Sequence, residues 1–355
     1  MNQISKLQPI LAIIIPFFVA SYLFIFFSKN LSKENAEDLG LGKQTSSYYS
    51  TVNNLKIHCN DSDIHECIDI YKQNKKKVSL WLGNSQLHGI NQMKEGDISA
   101  SEILYKKLYP NVNLLTVSMG NASLIEKKIL IDSLTKTIAI DRIIIPIVMD
   151  DMREGNVRPS IKNFSENRSA PTNSAIQNSD LDALDDTFQK KSERYFNTVM
   201  GNIFPSWNLR GEMRTEIFFG LYALRNEIFN VNASSKRPMI KGIYKQNMDA
   251  LKDTLQSMNE NEIKTIIYIV PIRSDVSIPY LESEYLAFKK EIINLSKIYD
   301  VEVFNFENIV EPDAWGAKNS TNLDNSIEID FMHFQAEGHQ ALANSLYPIL
   351  AKPKD

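Results

Sequence analysis

Residues Val78–His88 read VSLWLGNSQLH, and the fold hangs on how this stretch is interpreted. Val78 to Leu82 is an apolar, β-favouring run without polar alternation, the pattern of a strand covered on both faces. It stops at Gly83-Asn84-Ser85-Gln86, a turn-forming cluster in which glycine permits tight backbone geometry and a hydroxyl follows two residues later. A strand that ends this way and then enters a helix carries its hydroxyl to the carboxyl edge of the sheet, where open α/β sheets hold ligands. An ordinary βα loop containing a serine has the same signature. The rest of the chain must decide between them.

Outward from this stretch, strand-like runs recur at Asn113–Ser118 (NLLTVS), Arg142–Met149 (RIIIPIVM), Thr265–Val270 (TIIYIV) and Val301–Asn305 (VEVFN). Pro146 in the third suggests a bulge. Helical spacing lies between them: from Ser99, where Ser99–Glu102 could form a capping box, over Ser123–Thr137, Asn247–Met258 and Tyr285–Tyr299, and last over Gln335–Ala351. Strands alternating with helices predict an α/β fold: a three-layer α/β/α sandwich around a mostly parallel five-stranded sheet. Residues 78–350 would form this domain, interrupted by an insertion over 151–240. Within the insertion, Leu181–Met200 and Gly211–Val231 look helical. The second carries a stripe of Ile217, Phe218, Leu221, Tyr222, Leu224 and Ile228, with Arg214 and Arg225 outside it. Such a stripe packs onto the main domain or serves as a lid or membrane-facing helix beside the site.

Leu7 to Ser28 contains no charged side chain. Roughly 22 residues at ~1.5 Å rise give about 33 Å of helix, enough for a hydrocarbon layer of about 30 Å. The run exceeds the core of a cleavable signal peptide and lacks a small-x-small site, which favours an uncleaved signal anchor. Residues 1–29 are therefore expected to be a cytoplasmic stub and transmembrane anchor, and 30–77 a polar linker and cysteine-containing lead-in, with a short helix over His58–Gln73 held by the cysteine pair. The Lys and Arg asymmetry across the span is nearly nil and does not fix orientation. Cys59 and Cys67, in HCNDSDIHEC, can close a disulfide, remain free thiols, or join His58 and His65 as zinc ligands, although the cluster lacks the two-arm spacing of a zinc module. With 39 Lys and Arg against 43 Asp and Glu, nothing suggests a nucleic-acid surface.

At the far end of the chain stands Asp330-Phe331-Met332-His333, followed by Glu337-Gly338-His339 and the closing helix. A serine hydroxyl is a poor nucleophile near neutral pH and needs a base within hydrogen-bond reach. A histidine serves if a third group fixes its tautomer, and an aspartate three residues earlier can do so locally. The pair is expected in a βα loop on the carboxyl side of the strands, facing the crevice of Ser85.

With these residues the chain resembles the SGNH (GDSL-type) hydrolases. Gly83-Asn84-Ser85 matches the first block, with Asn for the usual Asp. Gly120 matches the second, and Asp330 with His333 matches the DxxH of the fifth. The resemblance implies Ser85 as nucleophile, His333 as general base and acid, and Asp330 as its orienter. It also implies an oxyanion hole built on the N–H groups of Ser85 and Gly120. The third-block Asn is replaced by Met149-Asp150-Asp151, and a carboxylate aimed at an oxyanion would repel it. Asn121 is the candidate replacement donor. The anchor, the insertion and the DFMHFQAEGH segment are similar to membrane-anchored members associated with cell-envelope polymer O-acylation, including the teichoic-acid D-alanyl transfer protein. That likeness implies an extracytoplasmic catalytic domain and an acylated polymer or lipid-linked substrate. A membrane-bound O-acyltransferase is the partner it suggests. No metal or diffusible cofactor is required. His88 is expected to line the pocket and Arg273 to bind an anionic substrate group, or else to be a surface arginine; His339 is expected to be structural. Esterase and transferase share all these residues. A non-catalytic scaffold for such an acyltransferase and a membrane-tethered lipase are the rival readings.

Overall fold

A computed structural model describes residues 44–73, 76–165, 235–319 and 327–352. The expected anchor over 7–28 and the expected helices over 181–200 and 211–231 lie outside them. Among the described residues no helix is long and apolar enough to cross a membrane.

In chain order the strands and helices begin with β1 (Thr45–Ser47), β2 (Thr51–Val52), β3 (Leu55–Lys56), β4 (His58–Cys59) and α1 (Ile64–Gln73). They continue with β5 (Val78–Gly83), α2 (Ser85–His88), β6 (Gly89–Asn91), α3 (Ala100–Leu108), β7 (Leu114–Ser118), α4 (Leu124–Leu134), β8 (Ile140–Ile147) and α5 (Pro159–Ser165). After 235 come α6 (Lys241–Glu260), β9 (Lys264–Ile269), α7 (Glu282–Ile298), β10 (Val301–Asn305), β11 (Trp315–Asn319), β12 (Ile327–Phe334) and α8 (Ala336–Leu350).

The central sheet is parallel throughout and has six strands, in the order β10-β9-β8-β5-β7-β4, where five were expected. The sixth is β4, two residues long, His58 and Cys59 pairing with Thr116 and Val117. Too short to show any periodicity, it replaces the first turn of the helix expected over His58–Gln73; α1 begins only at Ile64. Successive side chains of a strand face opposite sides, and this sorts the apolar runs into two cores. Leu80, Leu82, Val117, Ile143, Ile145, Ile267 and Ile269 pack on one face with α1, α4, α6 and α7. Trp81, Leu114, Ile144, Ile266 and Tyr268 pack on the other with α3 and α8. At the centre of the second face the Trp81 indole N–H donates to the Tyr268 hydroxyl at 3.1 Å.

Several local expectations are corrected. No bulge occurs at Pro146: β8 stays in register with β9 there, and its pairing with β5 ends at Ile144, before the missing N–H could matter. Ser99 caps α3 without a side-chain bond, because its hydroxyl pairs with Ser101 at 2.7 Å; a capping box forms instead between Ser123 and Glu126. Residues 45–56 are built into structure, β1 pairing with β6 and β2 with β3. Cys59 and Cys67 are joined in a disulfide, tying β4 to α1. That removes the thiolates a zinc site would need: His58 bonds Ser101 and Ser118, and the His65 ring lies 5.1 Å from that of Phe164.

The connections fix where a ligand can sit. From β5 the chain goes to β7 on one side, then returns across β5 to β8 on the other. The switch therefore falls at the carboxyl end of β5, the position at which doubly wound sheets open a crevice.

Candidate active site

Ser85 stands two residues past the end of β5, at that switch point, and opens the single-turn helix α2. Its placement begins with Gly83. A Cβ there would lie 2.2 Å from Leu87 Cδ1 and 2.7 Å from Cγ, so the chain can fold back onto the strand end only because position 83 has no side chain. Asn84 caps the turn by accepting from the Gln86 N–H at 3.1 Å. Gln86 is buried, and its Nε2 donates to the carbonyls of Pro271 and Met332, both at 3.0 Å. One side chain thus ties the Ser85 turn to the segment just past β9 and to the segment carrying His333.

That segment is not the loop expected from sequence. Asp330 and His333 lie on β12, which pairs antiparallel with β11 in a two-stranded ribbon before the chain enters α8. The Ser85 Oγ and His333 Nε2, 248 residues apart in the chain, are 2.9 Å from each other. His333 Nδ1 lies 2.9 Å from Asp330 Oδ2 and 3.2 Å from Oδ1. With a carboxylate beside Nδ1, the proton sits on Nδ1 and leaves Nε2 to accept from the hydroxyl. The N–H groups of Met332 and His333 donate to Asp330 Oδ1 at 2.9 and 3.0 Å. Burial alone would push the Asp330 carboxyl up, but the His333 ring and these donors, with Lys318 further off, hold it down to about 2. It is an anion across the working range.

Gly120 follows β7 within reach of this turn: Gly83 pairs with Ser118, and the Met119 N–H donates to the Gly83 carbonyl at 3.0 Å. The Gly120 carbonyl accepts from Arg158 Nη2 at 2.8 Å, and Arg158 is held on Glu126, whose partner Ser123 caps α4. Asn121 turns the chain in the left-handed region at φ 51° and is exposed.

The two aspartates in the place of the third-block Asn are each matched to a cation. Asp150 accepts from Arg237 at 2.7 Å and from the Tyr280 hydroxyl at 3.1 Å. Asp151 is buried and lies 2.7 Å from the equally buried Lys127, with Asn84 Nδ2 3.5 Å away on its other oxygen. Burial raises the Asp151 carboxyl, and Lys127 offsets part of that rise. Their charges are answered within the protein.

His88 and Arg273, expected at the substrate, are both engaged within the protein. His88 is buried, bonds Ser118 through Nδ1 at 2.7 Å and stacks on Tyr49. It belongs to a hydrogen-bonded chain running His88–Ser118–His58–Ser101, not to an open wall. Arg273 is bidentate on Asp275 at 2.8 and 3.1 Å and donates to the Gly316 carbonyl at 2.9 Å. Its charge is already paired, and the cleft of about 270 Å³ it lines with Lys289, Glu307 and Asn308 includes no member of the Ser–His–Asp set. His339 is structural, as expected: Nδ1 accepts from the Ala100 N–H at 3.1 Å, and Nε2 lies 3.2 Å from the Gly89 carbonyl. Gln86, Lys127 and Arg158 were not singled out in the sequence. Lys127, sharing its helix face with Leu124, Leu130 and Ile131, was the one of the three with a sequence signal.

No family model matches the chain, and no curated protein does. Among solved structures it is similar to a protein from Bacteroides fragilis designated an acylhydrolase, with 10% identity over 82% of this chain and 98% of that one and a TM-score of 0.39. It is likewise similar to a carbohydrate acetylesterase family member from Sinorhizobium meliloti, with 12% identity over 78% and 97% and a TM-score of 0.37. Likeness at this level carries no functional inference. That rests on the geometry above.

Proposed function

We propose that the chain is a serine acyl-transfer enzyme of SGNH type, working as esterase or O-acyltransferase on O-acyl groups of an exported cell-envelope polysaccharide or related polymer. The observation that carries this reading is the Ser85 Oγ at 2.9 Å from His333 Nε2, with Nδ1 of the same ring at 2.9 Å from a buried Asp330. Ser85 Oγ attacks the ester carbonyl while its proton passes to Nε2. The imidazolium is stabilised by Asp330, and the new oxyanion lies on the N–H groups of Ser85 and Gly120, with Asn121 as a further donor. Nε2–H then protonates the leaving oxygen, giving an acyl-Ser85 ester. Water or a sugar hydroxyl, deprotonated by Nε2, attacks that ester and returns the serine. Pairing Asp150 with Arg237 and Asp151 with Lys127 removes the main objection to an oxyanion here.

The substrate and setting come from sequence. The uncharged run over 7–28 supports a single-pass anchor, and the Cys59–Cys67 disulfide suits an oxidising, extracytoplasmic compartment. A lipid-linked or polymeric substrate at the membrane surface, and a membrane-bound O-acyltransferase as partner, follow only from the resemblance to membrane-anchored members associated with polymer O-acylation.

The test is covalent labelling of the full chain by a fluorophosphonate, with the adduct mapped by mass spectrometry. Label on Ser85, lost in Ser85→Ala, is the expected result; label elsewhere or none refutes it. Acylated polymer as product, in place of free acid, assigns transfer over hydrolysis.

A further inference from the structure

Beside the Ser–His–Asp set lies a side chain that no part of the mechanism has used. Asn91, the last residue of β6, is completely buried, and its Nδ2 donates to Asp330 Oδ2 at 3.1 Å. This is the oxygen nearer to His333 Nδ1. The other carboxylate oxygen is held by two backbone N–H groups, and without Asn91 the carboxylate can pivot about it. The amide cannot turn over, because a flip would set Oδ1 against the carboxylate. Among the described residues Oδ1 has no hydrogen-bond partner, a cost that a purely structural asparagine would not be expected to carry.

The room for this amide is made by the ribbon. The pairing of β11 with β12 shifts between Trp315 and Ala317, and Gly316 stands at the irregularity. A Cβ on Gly316 would lie 1.9 Å from Asn91 Oδ1 and 2.0 Å from Cγ, so any side chain there expels the amide. The Gly316 carbonyl is pinned by Arg273 at 2.9 Å, and Arg273 by Asp275. A continuous run of contacts therefore leads from Asp275 through Arg273, Gly316 and Asn91 to Asp330, His333 and Ser85.

We propose that Asn91 is a positioning residue for the Asp330–His333 pair, and that Gly316 is a glycine because the Asn91 amide occupies the space of its side chain. This rests on the acyl-serine reading above. Asn91 acts by fixing the rotation of the carboxylate and through it the aim of Nε2; Arg273 contributes by holding the ribbon at Gly316, not by touching substrate.

The test uses the full chain in mild detergent, with fluorophosphonate labelling rate and p-nitrophenyl acetate hydrolysis read well below the melting temperature. Asn91→Leu keeps the branch point of the side chain while removing both the bond to Asp330 and the unpaired Oδ1. Its labelling rate and kcat should fall roughly ten- to a hundredfold with KM unchanged, the loss typical of a misaimed catalytic group. Gly316→Ala should reproduce the loss. In an Asn91→Ala background, where the space is vacated, Gly316→Ala should add less than about twofold. Labelling of Asn91→Leu within about twofold of wild type overturns the proposal, as do losses at 91 and 316 that simply multiply. If Asn91→Leu does not fold, the Ala pair decides by the same criteria. A wild-type chain that never labels refutes the acyl-serine reading itself; a labelled wild type beside an unimpaired Asn91→Leu refutes this inference alone.

Discussion

Replacing Lys127 by Met is expected to be among the most damaging single changes away from the Ser–His–Asp set. The Lys127 and Asp151 side chains are 2% and 3% exposed, and their charged atoms are 2.7 Å apart. Without the ammonium, Asp151 keeps only the long contact from Asn84, and Lys127 also gives up its bond to the Pro146 carbonyl at 3.1 Å. Removing one partner of a buried ion pair typically costs about 3–5 kcal/mol, since the other charge stays buried. For a domain of this size each kcal/mol lowers the melting temperature by roughly 2–4 °C, so Lys127→Met should melt about 6–20 °C below wild type. Lys127→Met with Asp151→Leu removes both charges and should recover most of that, because apolar replacement of a whole buried pair is often neutral. Thermal unfolding followed by tryptophan fluorescence measures both, with Trp81 buried in the core as reporter. A single variant that melts within about 2 °C of wild type, or a double variant no better than the single, refutes the reasoning.

Asp330→Asn should leave the fold intact, because the amide oxygen can still accept from the Met332 and His333 N–H groups. Its Nδ2–H would impose the wrong imidazole tautomer and lower kcat by about 10⁴; a loss below tenfold contradicts the assigned role. Acid should destabilise the protein early. Burial above all, aided by neighbouring imidazoles, holds His88 down at about 3 and His58 well below its usual value, and His339 sits at about 4. These groups are depressed in the folded state, so unfolded chains take up protons first. The stability they confer is complete above about pH 6.5 and is lost as the pH falls from there towards 4, at up to about 1.4 kcal/mol per pH unit for each ring. Asp330, also depressed, adds its loss only below about pH 4. A melting temperature unchanged between pH 7 and pH 4.5 contradicts this. Finally, reducing the Cys59–Cys67 disulfide should cost about 2–4 kcal/mol, seen as a lower melting temperature in dithiothreitol that a Cys59→Ser/Cys67→Ser variant no longer shows.

Four of the five expected strands were legible as apolar runs buried on both faces, which need no partner information to be recognised; β10, at the sheet edge and only half-buried, was legible from its β-favouring Val301, Val303 and Phe304. The β5 run gave the Ser85 turn its place at the carboxyl edge of the sheet. What sequence could not supply was structure set by distant partners. The two residues of β4 become a strand only because Thr116 and Val117 are there to pair with them. The stretch holding Asp330 and His333 becomes a strand only because β11 lies beside it. Asp150 and Asp151 looked hostile to an oxyanion because Arg237 and Lys127, which answer them, are far away in the chain. Arg273 has a local partner in Asp275, but its bond to the Gly316 carbonyl depends on a strand 43 residues further on. His88 was misjudged in the same way: three residues from Ser85 it seemed to face the crevice, yet its ring turns inward to Ser118.

The Asp150–Arg237 pair has an architectural meaning. One residue stands just before the stretch the sequence marks as inserted, the other near its close, and their side chains meet. Asn247 adds a second clasp, donating to the Glu154 carbonyl at 2.8 Å. The chain leaves and re-enters the described body at one place, fastened by an ion pair and an amide–carbonyl bond, so a cut or insertion between the two ends would leave both fastenings in place.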